Sequence, residues 1–149
     1  YGPSMQFHRQ ILALDDERPE RFVRDWIALK TAEYVEVERF SGAGDLGRDV
    51  VGFRTSRRHG GAWDNYQCKQ YGRTLQASAA LLELGKILHF ASEGEFTPPA
   101  AYFFVVPRGM SRDLEKLIFN PDALRDELIA RWDDVCAKKI SRGKTIVLP

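Results

Sequence analysis

Asp49, Gln67 and Lys69 are the residues whose types and spacing can do chemistry together. Two short strands are expected around them, over residues 48–54 and 64–70. Asp49 stands near the start of the first, and the second ends in Gln67-Cys68-Lys69. Side chains alternate across a strand, so Gln67 and Lys69 share one face and Cys68 points to the other, toward a core where its thiol is chemically quiet. With the two strands side by side, a carboxylate, an amide oxygen and an ammonium converge. Such a set can hold a divalent cation and place a water beside it.

The elements that must position these groups follow from pattern. Residues 15–19 are a polar lead-in, with Pro19 in the first turn of a helix. Phe22, Val23, Trp26 and Ile27 recur at helical spacing and predict an amphipathic helix over 20–33. Residues 34–40 alternate, with Val35 and Val37 on one face and Glu36 and Glu38 on the other, as in a half-exposed strand. The glycines of 41–47 make a turn, in which Asp45 is expected to bond its own backbone. The nearly all-apolar strand at 49–53 is expected to be covered on both faces. A basic, Gly-rich loop follows, then a strand to residue 70 and a long helix over 76–91, with Gly94 as its stop. A buried strand is expected at 100–106, a short helix from Ser111 to 119, and a longer helix from Asn120-Pro121 to about 139. A last strand at 145–148 closes the order. A three-strand meander, a helical crossover and a further strand predict an α/β fold with a mixed sheet and helices on both sides.

Length and composition set the frame. The 149 residues suit one domain, taken as 5–149, with Tyr1 to Ser4 set aside as a cloning remnant before Met5. Apolar content of 44% and charged content of 29% are those of a soluble globular protein, and no segment has membrane-spanning length. Cys68 and Cys136 lack metal-finger or Cys-x-x-Cys spacing, and a reducing cytoplasm is the simpler setting for them. A net charge of +1 gives no global nucleic-acid signature, yet Arg54, Arg57, Arg58 and His59 follow one another without an acid. That loop suits phosphate contacts, and its composition suits a solvated basic loop equally well. The apolar ending Thr145-Ile146-Val147-Leu148-Pro149 is expected to continue into a longer multidomain parent chain.

Gly44-Asp45-Leu46-Gly47-Arg48-Asp49-Val50-Val51-Gly52, followed by Tyr66-Gln67-Cys68-Lys69, resembles the Mrr-like branch of the PD-(D/E)xK nucleases over residues 19–106. The resemblance implies a restriction-endonuclease-like core of order αβββαβ. It implies a metal-dependent DNA endonuclease, an effector of restriction or anti-phage defence with little sequence specificity of its own. Two departures stand out. Arg48 replaces the proline of the family name, and Gln67 replaces an acid, which removes one negative charge. In this branch the missing acid sits near the start of the first helix, and Glu20 matches that position. The implied metal set is therefore Asp49, Gln67, the Cys68 backbone carbonyl and Glu20 around Mg2+, with Mn2+ as a substitute.

Lys69 would orient or help deprotonate a water, or stabilise the charged phosphate. Arg54, Arg57, Arg58 and His59 would contact the backbone of double-stranded DNA. A sensor or recognition domain and a homo-oligomer are the expected partners, and no membrane. Each residue has a plainer role as well: Glu20 suits the positive end of a helix dipole, and Glu33, Glu36 and Glu38 are back-up acids or solvated charges. His8 and His89 have no partner spacing. Two other readings of the same scaffold are a catalytically inactive DNA-binding or oligomerisation module and, less directly, a resolvase or RNA-directed nuclease.

Overall fold

A computed structural model describes residues 6–10, 33–40, 44–68, 73–106, 108–140 and 145–146. The helix expected over 20–32, with Glu20, and the Lys69 position lie outside the described residues.

Five strands form one mixed sheet: β1 (Gln6–Gln10), β2 (Glu36–Arg39), β3 (Val50–Phe53), β4 (Trp63–Gln67) and β5 (Ala101–Val105), in the order β1-β5-β4-β3-β2. The meander β2-β3-β4 is antiparallel throughout. Helix α1 (Ala77–Ser92) then carries the chain across to β5, which runs parallel to β4 and pairs Asn65 with Tyr102 and Gln67 with Phe104. Parallel neighbours require such a crossover, which is why a helix intervenes here and short turns suffice in the meander. β1 joins the far edge, parallel to β5. Its sequence, QFHRQ, has no β-branched residue, and nothing in its pattern announces a strand.

β3 is buried along its whole length, as its apolar content requires, and β4 is equally buried although it carries Asp64, Asn65 and Gln67. Val35, expected to share a buried face with Val37, is instead 65% exposed, because the strand begins one residue later at Glu36. Val51, Phe53, Trp63, Tyr102 and Phe104 face α1 through Ala80, Leu81, Leu84 and Ile87. Helices α2 (Arg112–Ile118) and α3 (Pro121–Ala130) complete that layer through Leu114, Ile118, Leu124 and Leu128. Ser111 and Asn120 cap them through their side-chain oxygens, and Pro121 opens α3. On the opposite face Tyr34, Val50, Tyr66, Cys68 and Val105 form a second core. The described helices all pack on the α1 side, so helices on both sides of the sheet, as expected, are not seen among the described residues.

One element differs from expectation. The helix foreseen to residue 139 stops at Ala130 and re-forms as a π-helical turn, Trp132–Cys136. The wider turn buries Trp132, Val135 and Cys136, with the Cys136 thiol 3.6 Å from the Leu81 carbonyl. Burial pushes that thiol up to about 11. Of the last strand expected at 145–148 only 145–146 are among the described residues; there Ile146 N–H donates to the Ala137 carbonyl and the Ile146 carbonyl accepts from the Trp132 indole, at 2.7 and 2.8 Å.

Gly52 fixes the close approach of the second core. A Cβ there would lie 2.5 Å from the Tyr34 ring, which is itself held by hydrogen bonds to Asp64 and Tyr66. Among the described residues, no helix is long and apolar enough to cross a membrane.

Candidate functional site

The turn before β3 is built as its sequence foretells. Gly47 N–H donates to Asp45 Oδ1 (3.1 Å), and Leu46 and Gly47 both take positive φ. Gly47 then touches α1: a Cβ there would lie 3.0 Å from the Ile87 nitrogen and 3.1 Å from the Lys86 Cβ. This contact seats the start of β3 beneath the middle of α1. Arg48 completes the turn through the Asp45 and Gly44 carbonyls and lies over the Phe40 ring.

Extending the antiparallel register of Val50 with Tyr66 by one residue sets Asp49 opposite Gln67. Both side chains belong to the face that carries Val51 and Trp63, the α1 face. Asp49 is 2% exposed. Its Oδ2 accepts the Cys68 N–H at 2.6 Å, and its own N–H donates to Asn65 Oδ1 at 3.0 Å. The carboxylate thus ties the start of β3 to the end of β4. Cys68 is fully buried on the opposite face, as alternation predicts.

Gln67 is 3% exposed, and neither its Oε1 nor its Nε2 has a hydrogen-bond partner among the described residues. Burying an amide unpaired costs a few kcal/mol, so such a group points to a role beyond packing. Glu83 Oε2 shares the condition among the described residues, whereas the Tyr102 hydroxyl has the Asn65 side chain as a hydrogen-bond partner. Tyr102 stands beside Asn65 across the β4–β5 ladder. Its hydroxyl is pushed well above the usual phenol range, by burial first and then by the negative charges of Glu83 and Asp49. Glu83, on the buried face of α1, is 6% exposed, and its Oε1 meets Lys86 Nζ at 3.4 Å. The helical pattern of 76–91 did not single it out.

These donors are of the types a hard divalent cation takes: one buried carboxylate, one amide oxygen opposite it and a second buried carboxylate on the helix above, the last two each with an oxygen unpaired among the described residues. No group of three or more His, Cys, Asp or Glu suited to a metal occurs among the described residues, and Glu20 and Lys69 are not among these.

The basic loop is less open than its composition suggests. Arg54 Nη2 pairs with Asp64 Oδ2 at 2.7 Å, and this bond raises the guanidinium above its ordinary range. Arg58 pairs with Glu36 and Glu38 of β2. Arg57 is exposed. His59 packs among Phe40, Phe53, Trp63 and Phe96, with its Nε2 3.3 Å from Arg48 Nη1. Burial, then the charges of Arg48 and Arg58, pull the imidazole down to about 4.

A stability prediction follows from His59. The folded chain keeps the ring neutral down to about pH 4, whereas the unfolded chain protonates it near pH 6.5. The unfolded state therefore binds more protons between these values, and stability falls as pH falls through them. Melting temperatures of the wild type and His59→Phe, compared from about pH 7.5 to 4.5, should show the wild type losing ground only on the acid side. A constant offset between the two would contradict the packing described.

No protein-family model, no curated protein and no solved structure matches the chain.

Proposed function

We propose that the chain is a metal-dependent DNA endonuclease domain with a restriction-endonuclease-like core. The observation that carries the reading is the buried pair Asp49 and Gln67, set opposite one another on adjacent strands with the amide unpaired among the described residues. The order β2-β3-β4-α1-β5, with β5 parallel to β4, supports the fold by matching the βββαβ part of the implied core. Asp49 and Gln67 would hold Mg2+ or Mn2+, with the Cys68 carbonyl and Glu20 as the further ligands that the resemblance implies. When bound, the cation lowers the pKa of a water and neutralises charge on the phosphate. Lys69, next but one to Gln67, would orient that water or take its proton. The water adds to phosphorus, one P–O ester bond breaks, and the departing oxygen leaves with a proton. Arg57 and its neighbours would touch the duplex backbone without reading sequence. An effector role in restriction or anti-phage defence, joined to a recognition or sensor domain in the cytoplasm, is part of this proposal.

The test is cleavage of supercoiled plasmid with Mg2+ or Mn2+. Lys69→Ala should lower the rate about 10²-fold or more, the scale of a lost acid–base or electrostatic group. Cleavage at the wild-type rate would remove Lys69 from the chemistry.

A catalytically inactive nuclease-fold module is the second reading. It is favoured by the pairing of Arg54 and Arg58 with carboxylates, which leaves less positive charge for phosphate. Calorimetric titration separates the two, since that module has no need of Mg2+.

A further inference from the structure

Resting on the metal-dependent reading above, we infer that Glu83 supplies a further carboxylate to the cation site, beyond those of Asp49 and Glu20, and that Lys86 pairs with it while the cation is absent. Asp49 and Gln67 together carry one negative charge, and a cation held through a glutamine needs another carboxylate nearby. Glu83 is that carboxylate among the described residues. It hangs from the buried face of α1, the helix that Gly47 seats over the start of β3 at Lys86 and Ile87, one turn beyond Glu83. The hydroxyl of Tyr102, which is paired with Asn65 on the sheet below, is raised by burial and then by the charges of Glu83 and Asp49.

The local energetics agree. A glutamate in mid-helix ordinarily points to water, yet this one is 94% removed from it, and its Oε2 has no partner among the described residues. The Lys86 contact, at 3.4 Å and to the other oxygen, satisfies only part of the group. An isolated buried carboxylate is costly, and a weak single pairing does not offset that cost. The amide of Gln67, 3% exposed and equally unpaired among the described residues, faces the same layer. Two buried oxygen donors of this kind, one on α1 and one on the sheet face beneath it that also carries Asp49, describe a site that a divalent cation completes. Lys86 is 27% exposed and on a flexible stem, so it can swing out to solvent as the cation enters.

The experiment is calorimetric titration of the full chain with Mn2+, alongside melting with and without the ion. Wild type should bind Mn2+ and melt higher in its presence. Glu83→Gln, which keeps shape and removes charge, should weaken binding about 10- to 100-fold and abolish the Mn2+-induced rise, with no loss of metal-free stability. Lys86→Met should tighten binding, a result that a merely structural Glu83 would not produce. It decides the matter if Glu83→Gln fails to fold, where unchanged or weaker binding would overturn the inference. Equal binding by Glu83→Gln and wild type, with loss in Asp49→Asn, would overturn the inference and leave the metal-dependent reading standing. No binding by wild type would overturn both.

Discussion

Asp49→Asn is expected to lower metal-dependent plasmid cleavage about 10²- to 10³-fold while leaving the melting temperature nearly unchanged. The two readouts separate because Asp49 does two things. Its charge serves the cation, and its Oδ2 accepts the Cys68 N–H at 2.6 Å, tying β3 to β4. Asparagine keeps an oxygen for that bond and loses only the charge. Asp49→Ala removes both, and the buried Cys68 N–H then lacks its acceptor, a loss of about 1–3 kcal/mol. Activity should therefore fall equally in the two variants, with stability falling in alanine alone. Chemical denaturation and a plasmid-nicking assay at fixed Mg2+ check this together. Wild-type cleavage by Asp49→Asn would end the assignment of Asp49 to the chemistry.

Arg54→Ala should destabilise the fold by about 2–3 kcal/mol, whereas Arg57→Ala should change stability by no more than about 0.5 kcal/mol. The asymmetry comes from Asp64, whose side chain is 0% exposed and whose Oδ2 takes both the Arg54 pair and the Tyr34 hydroxyl. Without Arg54 a buried charge keeps one neutral donor among its described partners. Arg54 is itself 48% exposed and can be rehydrated, which sets the cost at the low end for a broken buried pair. Joint replacement, Arg54→Met with Asp64→Leu, should recover most of the loss, because no buried charge remains. Urea denaturation of the three variants measures this. DNA affinity should follow a different order: Arg57→Ala should weaken binding across all sequences and lower the salt slope by about one. If Arg54→Ala unfolds with wild-type stability, the pair with Asp64 is not structural and the residue is open to phosphate.

The loop shows how far composition carries. Four basic residues without an acid read as a phosphate-binding run, but a sequence window sees only near neighbours. Glu36, Glu38 and Asp64 reach Arg58 and Arg54 from adjacent strands, and only strand pairing brings them there. His59 likewise reads as a basic residue in a loop, yet four aromatic rings from separate elements enclose it and hold it neutral. The break after Ala130 has the same origin: local propensity continues the helix, and packing of Trp132 and Cys136 against α1 redirects it.

By itself the sequence determined the strands β3, β4 and β5, the helix α1 and the Asp45 turn, because β-branched and aromatic runs, glycine punctuation and helical periodicity are local signals. It also determined that Gln67 and Cys68 face opposite ways, since alternation is a property of the strand alone. Tertiary structure decided the rest. Register set Asp49 across from Gln67, the crossover made β5 parallel to β4, and β1 was added at an edge its sequence does not announce. Burial of Glu83 was decided there too. In a helical pattern a glutamate looks like one more solvated charge, and only the approach of the Gly47 turn and the sheet beneath α1 takes it out of water. Desolvation depends on everything packed around a group, and that is a sum no stretch of sequence contains.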